Sequence, residues 1–485
     1  MGNEAEKEPK TEGQALAEKL CFEIKNCWDT ATGETLRAVQ QFAEQYKTFL
    51  DQGKTERECI KQALDMLNKE GFTDIETLLR ETGSLSPGAK VYQNIKGKSL
   101  IFAVIGTRPL SEGVNVVGAH VDSPRIDLKT NPLYEDTGFA LFDTHYYGGI
   151  KHYQWTTIPL AMHGVVIRKD GEKQELCIGE DPGDPAFTIT DLLPHLAREQ
   201  MQKKASEFVD GEDLNILAGS RPYKDPKAKD RVKLNLLNLL HEKYGILEED
   251  FSGAEFEFVP AYKSQDIGID RSMIGGYGHD DRSCAYAALH AGLSFAVSPA
   301  PLKTVVGLLT DKEEIGSMGN TGAQSRIFEN FIAYLCSKTL VPYSEIALRQ
   351  CLGRSSMLSA DVNAAYDPNY EGVYDKKTAS YFGKGLVLSK YTGRGGKVGG
   401  SDANAEFCQK VQGILNKNNL RWQYGNLGKV DKGGGGTIAQ FVANLGLDVL
   451  DCGIPVLSMH SPFEVISKID LYTTYQGYIA FLREA

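Results

Sequence analysis

The first part of the chain has helical periodicity. Between about residues 14 and 80, apolar residues recur three and four positions apart, as in LRAVQQFAEQYKTFL (36–50) and ECIKQALDMLNKEGF (58–72). This spacing places apolar side chains on one face of a helix, and the glycine after each run is a common helix stop. We predict helices that pack over a sheet.

From about residue 98 the pattern changes to short apolar runs bounded by Gly, Pro or Asp, such as KSLIFAVIG (98–106) and NVVGAHVD (115–122). Runs of this length and composition are typical of buried strands. Later, the helical DDRSCAYAALHAGLSFA (280–296) precedes the strand-like KTVVGLLTD (303–311), and the alternation continues to the end. The pattern predicts an α/β fold.

Residues 125–262 differ from the sequence on either side. Gly, Tyr and Pro separate short strand-like pieces, and a polar, lysine-rich stretch leads into one helical run, RVKLNLLNLLHEKYGI (231–246). A chain of 485 residues commonly forms more than one domain. We expect an inserted domain at 125–262 within a discontinuous domain formed by 1–124 and 263–485.

Composition narrows the class of protein. A net charge of -11, with no concentrated basic patch, argues against nucleic-acid binding. No apolar run approaches 18 residues, and the first residues are polar, so we expect no membrane span, no signal peptide and a cytoplasmic protein. The nine cysteines lack paired short spacings, which favours structural thiols over a disulfide framework.

Two motifs place acidic residues at strand or helix ends. In GAHVDSPRID, His120 and Asp122 lie two positions apart, so both project to one side of a strand, where Asp122 can support a metal-bound His120. The alternative is an ordinary turn, because Asp, Ser and Pro favour turns. In YGHDDRSCAYAAL, Asp280 or Asp281 could cap a helix, but capping does not account for two adjacent acids.

A third motif, DKEEIGSMG, places Glu313 and Glu314 where a strand ends. Their side chains diverge, so one carboxylate can bind a metal while the other acts as a general base; the alternative is a solvated acidic loop. Asp361 in MLSADVNAAYDP and His460 in VLDCGIPVLSMH are weak signals singly. All these residues follow predicted strands, where open α/β sheets gather ligands.

Histidines and carboxylates without cysteine form a site suited to zinc, with manganese or cobalt as alternatives. One catalytic zinc needs only three protein ligands, so five candidate ligands favour two metals about 3.5–4 Å apart that share a carboxylate.

In order, AHVDSP, GHDDRSCAYAAL, DKEEIGSMGNTGAQS, DVNAAYDPNY and MHSPFE resemble the aspartyl aminopeptidase and aminopeptidase I family of dinuclear zinc exopeptidases. The resemblance spans most of the chain. It implies a zinc-exopeptidase-like mixed sheet flanked by helices, an inserted β-rich dimerisation domain, peptide substrates and self-association into a homo-oligomer, a dodecamer in the family.

The resemblance also implies residue roles. One zinc would be held by His120, Asp280 and Asp361, and the other by Asp280, Glu314 and His460. Glu313 would be the general base.

The residues that bear on substrate preference point to different first residues of the substrate. Lys384, in YFGKGLVL, matches the family lysine that meets an acidic substrate side chain, or is a solvated loop lysine. Glu199, in LLPHLAREQ, stands where the family has a histidine, and a carboxylate would repel an acidic substrate. Thr437, after the glycines of KGGGGTIAQF, would shape the peptide-binding wall or follow a flexible turn. Acidic and neutral preferences both stay open.

Two other functions are compatible with these motifs. A dinuclear deacylase or carboxypeptidase would keep the metals and cleave another bond. An inactive shell-forming scaffold would keep the fold, but its expected signature is loss of Glu313 or of a ligand, and all of these residues are present.

Overall fold

The structure, a computed structural model, describes residues 10–80, 83–297, 299–340 and 342–485. The polar segment 1–9, part of the start on which we expected no signal peptide, lies outside the described residues. Elements are numbered in chain order. The described helices are α1 (Glu12–Leu20), α2 (Gly33–Gln52), α3 (Glu56–Lys69), α4 (Ile75–Leu79), α5 (Arg231–Tyr244), α6 (His279–Leu293), α7 (Ile327–Thr339), α8 (Glu345–Gly353), α9 (Ala405–Lys417), α10 (Ala439–Ala443) and α11 (Lys468–Glu484).

The largest sheet in the described part of the chain has nine strands. These are β1 (Thr73–Asp74), β2 (Lys90–Ile95), β3 (Ser99–Val104), β4 (Val114–His120), β14 (Thr304–Thr310), β15 (Ser356–Ser359), β17 (Leu386–Ser389), β18 (Trp422–Tyr424) and β19 (Asp448–Gly453). Their spatial order is β1-β2-β3-β14-β4-β15-β19-β17-β18. The central strands β14, β4, β15 and β19 run parallel, whereas β3 is antiparallel to β14 and β17 is antiparallel to β19. The sheet is therefore mixed, as predicted.

Helices cover both faces of this sheet because its central strands are buried on both sides. Along β4, Val117 and Ala119 join one apolar core with residues of α2, α6 and α11, while Val114 and Val116 join a second core with residues of α7 and α8. This alternation follows from the two-residue period of a strand. The predicted α/β class is confirmed.

A second sheet contains only strands from the segment between residues 125 and 260. Its strands are β5 (Arg125–Asp136), β6 (Phe139–Tyr147), β7 (Leu160–Ile167), β8 (Lys173–Ile178), β9 (Thr188–Ile189), β10 (Ile216–Gly219) and β11 (Glu255–Pro260). The order is β8-β7-β11-β5-β6-β10-β9. This sheet and α5 enclose a separate apolar core that includes Phe142 and Phe258.

A third sheet in the described part of the chain has five strands. It has the order β12-β13-β21-β20-β16, with β12 (Gln265–Ile267), β13 (Met273–Gly276), β16 (Asn363–Ala364), β20 (Pro455–Leu457) and β21 (Glu464–Ser467).

Two further features concern the helices and cysteines of the described residues. No helix there is long and apolar enough to cross a membrane. Most cysteines are buried, as expected of structural thiols, but Cys21 and Cys177 are exposed.

Candidate metal centre

Parallel strands deliver the first part of the site. The strands β14 and β15 flank β4 and run parallel to it. His120 ends β4, Glu313 and Glu314 follow β14, and Asp361 follows β15. Carboxyl ends of parallel neighbours meet at one edge of a sheet, so residues from distant parts of the sequence come together there.

Asp280 lies between the two histidines. Its Oδ1 atom is 3.2 Å from His120 Nε2, and its Oδ2 atom is 3.2 Å from His460 Nε2. His120 Nε2 is also 3.9 Å from Asp361 Oδ1, and His460 Nε2 is 3.3 Å from Glu314 Oε2. The structure therefore brings all five predicted ligands together, with Asp280 facing both sides.

Asp122 contacts His120 and also the acidic loop. His120 Nδ1 is 3.0 Å from the Asp122 carbonyl oxygen and 3.3 Å from its Oδ1. The Asp122 carboxylate accepts hydrogen bonds from the backbone N–H groups of Glu313 and Glu314, each over 3.1 Å. The period-two argument anticipated the first contact, but nothing local in the sequence signals the second.

Two acidic residues of this centre were absent from the predicted set of ligands and catalytic residues. Glu464 is buried on β21, and its two oxygens accept the backbone N–H groups of Asp280 and His460. Asp281 is buried, and one of its oxygens lies within 4.8 Å of ligand atoms of His120 and Asp361. The sequence signal for Glu464 was an acidic residue four positions after His460. The signal for Asp281 was its place next to Asp280.

The electrostatics of the cluster suit a bound cation. Burial would raise the pKa of Asp280, but hydrogen bonds from His120 and His460 outweigh it and hold that pKa low. Burial raises the pKa of Glu314 and of Asp361 well above their usual range, and nearby carboxylates add to both shifts. Glu314 Oε1 and both Asp281 carboxylate oxygens are buried without a hydrogen-bond partner among the described residues. Crowded carboxylate oxygens and two imidazole nitrogens fit zinc.

A cavity of about 280 Å³ opens beside the cluster. Its wall includes the glycines at 433–436, Thr437 and Met459. The Thr437 hydroxyl donates to Asp451 over 2.6 Å, which fixes that side of the wall. Thr437 thus lies at the cavity, as expected of a residue that shapes it.

Lys384 does not line this cavity. The N–H groups of Gly383 and Gly385 donate to the buried carboxylate of Asp470, and Lys384 Nζ lies 3.3 Å from the carbonyl oxygen of Ile24. Glu199, which lies between β9 and β10 in the sequence, is exposed and is not part of the cavity wall.

A mixed sheet that carries His120 and three carboxylates at its strand ends, completed by Asp280 and His460 from elsewhere in the chain, is the kind of metal site that hydrolases use. The sequence model of the Aminopeptidase I zinc metalloprotease (M18) family matches residues 49–482. A protein of Clostridium acetobutylicum, named Probable M18 family aminopeptidase 1, is 51% identical over 463 residues, which are 96% of this chain and 99% of that protein. A Thermotoga maritima protein of the same name is 45% identical over 464 residues, with 96% and 99% covered.

Solved structures agree with this relationship. The crystal structure of the M18 aminopeptidase from Thermotoga maritima superposes with a TM-score of 0.90 at 44% identity, covering 96% of this chain and 100% of that chain. Aminopeptidase I from Clostridium acetobutylicum gives a TM-score of 0.86 at 48% identity, with the same shares covered. This chain therefore belongs to the M18 family of zinc metalloproteases and is a metal-dependent aminopeptidase. The resemblance drawn from the motifs is confirmed.

Proposed function

We propose that this chain removes the N-terminal residue of peptides at a centre of two zinc ions. His120, Asp280 and Asp361 would hold one ion, and Asp280, Glu314 and His460 the other. The observation that supports two ions is the position of Asp280, whose two oxygens each face a different histidine Nε2. When bound, such ions lower the pKa of a water molecule and polarise the scissile carbonyl. Manganese and cobalt are alternative occupants.

Glu313 is the proposed general base. Burial, only partly offset by His120, raises the pKa of its carboxyl to about 7. A general base works best when its pKa is close to the working pH. Glu313 would take a proton from the attacking water and then deliver it to the leaving amine. The backbone hydrogen bond from Glu313 to Asp122 holds this residue beside the cluster.

Recognition of the free α-amino group of the substrate would restrict cleavage to the N-terminal end of the peptide. The carboxylates of the cluster supply the negative charge that would bind this amino group. The cavity wall carries charges of both signs, Lys397, Lys429 and Asp431, together with the apolar Met459. Acidic and neutral first residues therefore both belong in a substrate panel. Thr437 is the proposed wall residue, whereas the position of Lys384 gives no support for a role in one subunit.

We also propose that residues 125–262 form an inserted domain that mediates self-association, with 1–124 and 263–485 as the catalytic part. Its segment 192–201 leaves Leu192, Leu193, Leu196 and Met201 more than half exposed. A cluster of large exposed apolar side chains is typical of an interface. The solved structure of a yeast protein that is 21% identical to this chain is a dodecamer. At this identity the similarity supports a shared fold and not a shared assembly.

The decisive experiment is a turnover panel with purified protein, metal-depleted and then reloaded with zinc, manganese or cobalt. Substrates would carry acidic or neutral first residues, blocked amino termini, or a scissile bond at the carboxyl end. We expect metal-dependent release of the first residue, at least 100-fold slower in Glu313→Gln, since general bases contribute about 10²–10⁴-fold. Glu371→Gln, at an exposed glutamate, is the matched control.

Each result has a distinct meaning. Cleavage of blocked substrates would favour a deacylase, and release from the carboxyl end a carboxypeptidase. Absence of turnover with every metal would leave only a scaffold. Light scattering on wild type and Leu196→Asp tests self-association. A single-chain mass for both proteins would contradict self-association.

A further inference from the structure

The second sheet contacts the metal centre directly through the end of one strand. Strand β6 ends at Tyr147, and Gly148 and Gly149 follow. These three residues are here called the YGG segment. The segment continues directly from the second sheet, whereas the predicted ligands belong to the rest of the chain. Each residue of the segment approaches a different part of the centre.

Tyr147 supports the side of the centre that contains His120. Its hydroxyl donates to Asp122 Oδ2 over 2.8 Å. The same carboxylate contacts His120 and accepts the backbone N–H groups of Glu313 and Glu314. The Arg125 guanidinium lies 3.9 Å from the centre of the Tyr147 ring, a cation–π distance that holds the ring in place. Loss of the hydroxyl would leave Asp122 with one fewer donor.

Gly149 supports the side that contains His460. Its carbonyl oxygen is 2.9 Å from His460 Nδ1. A carbonyl only accepts, so Nδ1 carries a proton, and Nε2, which faces Asp280 and Glu314, is the ring nitrogen left to bind a metal. A hydrogen bond at one ring nitrogen commonly fixes the tautomer of a metal-binding histidine in this way.

Gly148 allows the segment to approach this closely. Its φ of +76° lies in the left-handed region that favours glycine. A Cβ at this position would lie 3.4 Å from Glu314 Cβ and 3.3 Å from Pro124 Cγ. A side chain here would therefore cost backbone strain and press on a predicted ligand.

We propose that the YGG segment is a positioning element through which the second sheet orients both histidines of the metal centre. The inference rests on the proposed two-metal function. It implies that residues 125–262, which we propose to mediate self-association, are also required for a complete active site.

Tyr147→Phe tests the first contact, and Tyr146→Phe is its control, because Tyr146 is the exposed neighbour on the same strand. Loss of an outer hydrogen bond around a metal site costs about 10–100-fold in activity or metal affinity. We expect Tyr147→Phe to lower kcat by that factor with KM little changed, and to lose zinc to a chelator sooner than Tyr146→Phe. Equal zinc retention and equal kcat in the two variants would overturn the proposal.

Gly148→Ala tests the approach of the segment, and Gly138→Ala is its matched control. Gly138 lies before the other end of β6 with φ +84°, and a Cβ there would meet no atom within 4 Å. Both variants carry similar backbone strain, but only Gly148→Ala presses on Glu314. We expect loss of zinc and kcat in Gly148→Ala alone. The comparison of Gly148→Ala with Gly138→Ala also tests the positioning role if Tyr147→Phe fails to fold.

Zinc retention separates this proposal from the proposed reaction. If wild type binds zinc but turns over no peptide, the aminopeptidase reaction fails while the ranking of zinc retention still tests positioning. If Gly148→Ala retains zinc and activity as Gly138→Ala does, the positioning role is wrong even though the enzyme is active.

Discussion

The carboxylate of Glu464 accepts the backbone N–H of Asp280 over 3.0 Å. Its other oxygen accepts the N–H of His460 over 2.7 Å. One buried side chain on β21 thus sets the relative positions of the proposed bridging ligand and of a ligand from a different segment.

Glu464→Gln removes one of these two acceptors, because an amide has a single acceptor oxygen and its NH₂ group would face a backbone donor. We expect zinc affinity or kcat/KM to fall by about 10–100-fold, as for other outer contacts of metal sites. Zinc content after dialysis and steady-state kinetics check this. Unchanged zinc content and kinetics relative to Glu371→Gln would show that Glu464 has no positioning role.

Asp451 joins two loops of the cavity wall. Its carboxylate accepts hydrogen bonds from the Ser401 and Thr437 hydroxyls, each over 2.6 Å. Asp451→Ala removes both, and loss of hydrogen bonds to a charged group is expected to lower the free energy of unfolding by about 2 kcal/mol. Because the wall contacts substrate without carrying the proposed chemistry, KM should rise more than kcat falls. A fall in kcat at constant KM would contradict this.

Removal of the metal should destabilise the protein. The site gathers several buried carboxylates, and without a metal ion His120 and His460 offset their mutual repulsion only in part. Zinc at 100 times its dissociation constant would stabilise the folded state by about 2.7 kcal/mol. Thermal unfolding with and without chelator measures this, and Glu313→Gln, which keeps every proposed ligand, should show a similar difference. Equal melting temperatures with and without chelator would argue against a site in these residues.

Glu56 predicts how stability depends on pH. It is fully buried at the start of α3, 3.1 Å from Lys98 Nζ and 3.6 Å from Arg125 Nη1. Burial would raise its pKa, but the charges of Arg125 and Lys98 outweigh burial and lower that pKa to about 2 from 4.5. Because the pKa is lower in the folded state, the stabilisation is present above pH 4.5 and is lost as the pH falls toward 2.

Glu56→Gln should therefore lower the free energy of unfolding of the metal-free protein by about 3 kcal/mol at pH 7, and by progressively less below pH 4.5. Urea unfolding of wild type and variant across that range checks both statements. A difference that stays constant with pH would show that ionisation of Glu56 is not its source.

The sequence by itself determined the class of fold and the cluster of predicted ligands. The apolar runs that form β4 and β14 are recognisable because buried strands consist of apolar residues. Directly after runs of this kind come His120, Glu313, Glu314 and Asp361. Their meeting at one edge follows from parallel strands.

Only the tertiary structure decided which groups support that cluster. Gly149 acts through a backbone carbonyl, which leaves no side-chain signature in the sequence. Tyr147 reaches Asp122 from a different sheet, and Lys384 is directed to Ile24 because its flanking glycines bind Asp470. Hydrogen bonds and side-chain directions of this kind depend on how distant segments pack, and no local pattern of residues encodes them.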